Sequence, residues 1–174
     1  KVSKEKINSL NLITDELAKY LGNCMSAMAG EVCLVYNPEM HETNTTDFIK
    51  GQPKNTIIGN YAFTTNLSKH NESQVMLHMP TEIFYPIMDI LLGGTGKPYE
   101  ANRPLTAIEI AICRYVMLIF QEALKDAWNS IIKVDFAFDK IETSSKNVEL
   151  KAVKEENLVM SFDVNIKDVK SKIR

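Results

Sequence analysis

Cysteine is scarce in this chain: 174 residues carry three, Cys24, Cys33 and Cys113. An odd number at wide spacing makes no disulfide framework. It suits a reducing compartment, where isolated cysteines serve as small buried hydrophobes. Histidine is equally sparse. His41, His70 and His78 lie far apart, no two at ligand spacing and none with a cysteine close enough to complete a zinc site, so no metal is expected. Long apolar runs are missing too. The longest, from Tyr115 to Phe120, falls far below the roughly 20 residues that span a bilayer. Nor is there an excess of charge of one sign: Lys plus Arg number 20 and Asp plus Glu 22, a formal net charge of -2. That balance argues against nucleic acid as a partner, which calls for a basic face. The chain opens at Lys1 without Met or a signal peptide, and is expected to be a fragment of a longer protein.

What is present is the composition of one ordinary globular domain, with 45% hydrophobic and 24% charged residues. Ile7, Leu10, Ile13, Leu17, Leu21, Cys24 and Met28 step by three and four, which predicts one long helix with an apolar face, stopped near Gly30. A strand is expected from Glu31 to Tyr36, then a polar stretch without periodicity, then a short helical piece at Asp47, Phe48 and Ile49. Thr56 to Thr64 and Gln74 to Met79 read as strands joined by a polar connection from Asn66 to Ser73. A helix follows from Pro80-Thr81-Glu82 to Leu92, with Pro86 inside it. Thr106 and Glu109 form a capping box that opens a second long helix ending near Trp128. Its apolar face is read as Ile108, Ile112, Tyr115, Ile119 and Leu124, with Trp128 as a packing anchor. Three strands are expected at Val134 to Ile141, Val148 to Val153 and Leu158 to Ile166. The last eight residues, 167–174, look like the start of a linker.

Gly93-Gly94-Thr95-Gly96-Lys97-Pro98 invites a nucleotide reading, and fails it. A P-loop needs Gly five residues before its Gly-Lys and Ser or Thr after, whereas Leu91 and Pro98 stand there. The dinucleotide fingerprint needs a strand before the glycines, and here a helix precedes them. Two readings remain: a helix C-terminus with left-handed caps, or an exposed backbone surface that a partner can approach closely because no Cβ intervenes. Three glycines in four residues exceed what one cap requires.

The string from Ile83 to Gly96, IFYPIMDILLGGTG, together with Leu105-Thr-Ala-Ile-Glu leading across a helix to Glu122-Ala-Leu-Lys-Asp-Ala-Trp128, resembles the CheC-like middle domain of the FliM family of flagellar motor switch proteins. Thr46 to Pro53, Ile141-Glu142-Thr143 and Glu155 to Val159 extend the resemblance over nearly the whole chain. It implies an α/β fold, a three-layer α/β/α sandwich with pseudo-twofold symmetry, as a single domain over residues 1–166 followed by a linker to a further domain. It also implies a non-enzymatic subunit of the cytoplasmic switch ring, peripheral at the inner face of the membrane, without cofactor or small-molecule substrate. On this resemblance Asp89, Gly93, Gly94, Thr95, Gly96, Lys97 and Pro98 would contact the rotor protein FliG. The long helices would pack neighbouring FliM copies. FliN and phosphorylated CheY would be met mostly through regions outside this chain. The signal would pass as a change of tilt or packing relayed by the glycine loop.

The alternative within the same fold is a CheC-type phosphatase acting on phosphorylated CheY. That activity uses Glu-x-x-Asn, where acid and amide share a helix face and position water at one phosphoryl group. Asn23 keeps the amide, but Tyr20 stands at the acid position. In the second long helix Arg114, Tyr115, Met117 and Leu118 occupy the matching depth, and Asp126 with Asn129 has the spacing only at the far end.

Overall fold

Ile13, Leu17, Leu21 and Met25 recur every four residues and form a buried stripe along α1 (Lys4–Ala29), which stops where Gly30 turns left-handed at φ 65°. The computed structural model describes residues 4–65, 73–143 and 156–174. Within them follow β1 (Leu34–Asn44), α2 (Thr45–Lys50), β2 (Thr56–Thr65), β3 (Ser73–Pro80), α3 (Thr81–Leu91), α4 (Ala107–Asn129), β4 (Val134–Glu142), β5 (Glu156–Ile166) and β6 (Val169–Ile173). The polar connection after Thr65 and the strand expected at Val148 to Val153 lie outside the described residues.

The strands form two antiparallel triplets, β1-β5-β6 and β3-β2-β4. His78 on β3 and Arg174, the residue after β6, join them edge to edge. His78 N–H donates to the Arg174 carbonyl at 2.5 Å, and Arg174 N–H returns the bond to His78 at 3.0 Å. Each half of the chain supplies a long helix, an outer strand and a pair of inner strands. The outer strands are exchanged: β1 pairs with β5 of the second half, and β4 pairs with β2 of the first. The expected pseudo-twofold relation is visible in this exchange.

Successive residues of a strand point to opposite faces, which fixes the layers. Ile57, Tyr61, Leu77, Met79, Phe162, Val164 and Ile166 turn to one face and share a single core with α1, α3 and α4. His78 turns to the other face, where Phe48 of α2 meets its ring edge-on at 4.7 Å. The result is an α/β/α sandwich whose third layer, among the described residues, is the short α2. Tyr61 donates its buried hydroxyl to the Met117 carbonyl of α4 at 2.8 Å, tying sheet to helix. Trp128 closes one end of the core, edge-on to Phe63 at 6.1 Å and Phe136 at 5.6 Å.

Three expectations need correction. Residues 169–173 form β6 rather than opening a linker. Val169 and Ile173 are buried while Lys170 is exposed, so a strand alternation had been hidden inside a run of charges. Residues 37–44, without periodicity in the sequence, continue β1. Asn37 at φ 48° and a register shift between Tyr36 and Glu39 mark a bulge, and the strand lies at a sheet edge with most of its residues exposed. Finally, the core face of α4 is Cys113, Val116, Met117, Phe120, Leu124 and Ala127, not the face that carries Ile108 and Tyr115. The helix is apolar on both sides: of the expected face Leu124 is buried and Ile112 and Ile119 are partly buried, whereas Ile108 and Tyr115 are exposed.

Candidate functional site

α3 buries five consecutive residues, Ile83 to Ile87, and so enters the core before delivering its C-terminus to the surface. There Gly93 sits at φ 90° and closes a Schellman cap. Gly94 N–H donates to the Asp89 carbonyl at 2.7 Å, and Gly93 N–H donates to the Ile90 carbonyl at 2.9 Å. The Asp89 side chain then reaches across the turn and accepts the Gly96 N–H on Oδ2 at 2.8 Å. Glycine is required at each position for a different reason. Gly93 needs the left-handed region and has open space around it. A Cβ on Gly94 would stand 2.3 Å from both Asp89 carboxylate oxygens. Gly96, at φ 75°, would place one 2.8 Å from Ile90 Cδ1 and 3.2 Å from Lys167 Cε.

The expected contact residues therefore divide. Gly93, Gly94, Thr95, Lys97 and Pro98 are exposed, Gly96 is buried, and Asp89 is partly buried beneath the loop. Past the loop, the Tyr99 ring meets Tyr85 of α3 edge-on at 5.0 Å and pins the exit.

Beside the loop lies an apolar cleft lined by Leu91, Leu92, Ala107, Ile108, Ala111, Ile112 and Tyr115. Leu92 is 65% exposed, Ile108 71% and Tyr115 54%, and Leu118 continues the stripe one turn on. The sequence carries this signal at spacings of three and four that read as a core stripe, and the structure turns Ile108 and Tyr115 outward. The start of α4, and with it Ile108, is fixed by polar contacts. Thr106 Oγ1 accepts from Glu109 N–H, and Glu109 accepts from Thr106 N–H at 2.7 Å, completing the capping box. Arg103 adds a two-pronged pair, Nη1 to Oε2 at 2.8 Å and Nη2 to Oε1 at 2.9 Å. The Arg103 hydrogen bonds hold the Glu109 carboxyl down at about 2, and those from Thr106 add to the effect.

The residues weighed for phosphatase chemistry are not brought together as an acid and amide pair. Asn23 is exposed on α1 beside a half-buried Tyr20, and Asn129 Oδ1 accepts from Val134 N–H at 3.0 Å in the turn into β4. Burial pushes the Cys24 and Cys113 thiols up to about 12, which keeps them protonated and poor nucleophiles at neutral pH. Among the described residues no three His, Cys, Asp or Glu side chains gather as metal ligands, and no helix is long and apolar enough to cross a membrane.

A family model described as "Flagellar motor switch protein FliM" matches residues 3–174. FliM of Bacillus subtilis is 26% identical over 170 residues, covering 96% of this chain and 49% of that protein. The chain spans about half the length of the curated relatives it matches. Among solved structures, a chain of the FliG-FliM complex from H. pylori superposes with a TM-score of 0.88 at 22% identity, over 99% of this chain and 92% of that one. A CheC-like superfamily protein from Shewanella follows the same fold at a TM-score of 0.55 and 10% identity, over 96% and 94%.

Proposed function

The chain belongs to the FliM family of flagellar motor switch proteins, and on that premise we propose that it is a non-enzymatic subunit of the switch ring that binds FliG through its glycine loop. The observation that carries this reading is the conjunction at the end of α3. An exposed tip of Gly93, Gly94 and Thr95 stands beside an apolar cleft containing Leu92, Ile108 and Tyr115. A partner can lay backbone against the tip and apolar side chains in the cleft, the mixture of close approach and desolvation that makes a compact hot spot. In the H. pylori complex the partner of that FliM is FliG, which supports the same choice of partner here. Lys97 and Pro98 flank the tip and complete the contact.

Neighbouring FliM copies pack through the long helices, contacts that can be weak singly and add up around a ring. FliN and phosphorylated CheY act through parts of the protein beyond this domain, on the cytoplasmic side of the membrane. Phosphatase chemistry is not favoured, because the acid that would share the site with Asn23 is replaced by Tyr20.

The experiment is calorimetric titration of the chain with FliG, beside Leu92→Ser and Ile108→Ser. Both side chains are largely exposed, so folding is expected to survive each change. Each variant should weaken binding by roughly tenfold, the size of a loss at an interface hot spot. Equal affinity of all three chains for FliG contradicts the proposed surface.

A further inference from the structure

The three glycines are explained from inside the molecule. Gly93 supplies the left-handed cap, Gly94 leaves room for the Asp89 carboxylate, and Gly96 turns its N–H onto that carboxylate while seated against Ile90 and Lys167. Asp89 binds the loop twice, its carbonyl accepting from Gly94 N–H at 2.7 Å and its Oδ2 from Gly96 N–H at 2.8 Å. The loop is a ring closed on one residue. Lys167, which forms the seat at the turn between β5 and β6, is itself paired with Glu31 at 2.8 Å just past the end of α1.

We propose that Asp89 is the positioning residue of the glycine loop: its carboxylate is committed to the Gly96 N–H and fixes the shape offered to the partner without touching it. This rests on the FliG reading above and deepens it. An N–H held at 2.8 Å by a carboxyl oxygen is a directional restraint. A preformed loop also spares the partner the entropy of ordering it. The Asp89 and Gly94 positions are then one choice, because a side chain at 94 would evict the carboxylate. The tip consequently presents backbone groups and Thr95, with the Asp89 charge turned inward.

The test compares the unaltered chain with Asp89→Asn and Asp89→Ala, reading FliG affinity by calorimetry and Gly96 amide exchange by NMR. Asn keeps an acceptor oxygen, so both readings should stay within about threefold of the unaltered chain. Ala removes the acceptor, so exchange should quicken and affinity fall, each by roughly tenfold, the loss of about one hydrogen bond. If Asp89 instead met FliG by its charge, Asn and Ala would weaken binding equally although Asn leaves Gly96 exchange slow, and the proposal would be overturned. Gly96 exchange that is fast in the unaltered chain would overturn it as well. Failure of the unaltered chain to bind FliG would overturn the functional reading, while the exchange data would still decide what Asp89 does to the loop.

Discussion

His78 and Arg174 exchange backbone hydrogen bonds across the seam between the two triplets of strands, and the imidazole at that seam is buried with no hydrogen-bond partner for either nitrogen among the described residues. Burial first, and the nearby Arg174 charge second, push its pKa down to about 4. The unfolded chain therefore binds a proton near pH 6.5 that the folded chain resists until about pH 4. Stability is complete above pH 6.5 and falls as pH drops through that window, by on the order of 2–3 kcal/mol. Urea unfolding at pH 7, 6, 5 and 4 measures the slope, and His78→Leu should flatten it. An unchanged slope in the variant would assign the pH dependence to another group.

A second acid transition belongs to Glu109. Its folded pKa, about 2, lies below the ordinary carboxylate value, so its contribution is present above about pH 4.5 and is lost as pH falls towards 2. Arg103→Met removes the main cause. The acid unfolding midpoint followed by circular dichroism should then move to higher pH, while stability at pH 7 drops because a buried carboxylate is left with fewer partners. Coincident acid curves would mean that the pair contributes nothing net.

The glycines make a graded prediction for thermal unfolding. Gly93→Ala meets only the left-handed backbone penalty, with no atom in the way, and should cost about 1 kcal/mol, roughly 3 °C in a chain of this size. Gly96→Ala adds the contact with Ile90 at 2.8 Å and should lower the midpoint further. Gly94→Ala is limited by the Asp89 side chain, so its cost should shrink in an Asp89→Ala background, a coupling readable in a double-mutant cycle.

Much of this was legible in the sequence because local chemistry and fold agreed. The recurrence by threes and fours from Ile7 to Met28 marks α1, and Thr106 with Glu109 marks the first turn of α4, capping box included. β6 was not legible because its inward residues, Val169 and Ile173, are separated by lysines that read as a solvated tail. The bulge at Asn37 broke the alternation of β1 in the same way. At the candidate site the glycine loop was visible as a motif, but its internal logic was not. Nothing in a string of letters says that Asp89 and Gly94 compete for one volume, since that fact belongs to the folded turn. The apolar cleft is not legible because Ile108 and Tyr115 have helical spacing, and spacing does not distinguish an inward stripe from an outward one when both are apolar.

The most direct measurement is an NMR footprint of the isotope-labelled chain on addition of FliG. Amide signals of residues 92–97 and of the first two turns of α4 should shift or broaden together, with the far ends of α1 and β4 undisturbed. A footprint that leaves the glycine loop untouched, or is confined to the α2 face of the sheet, would contradict the proposed contact.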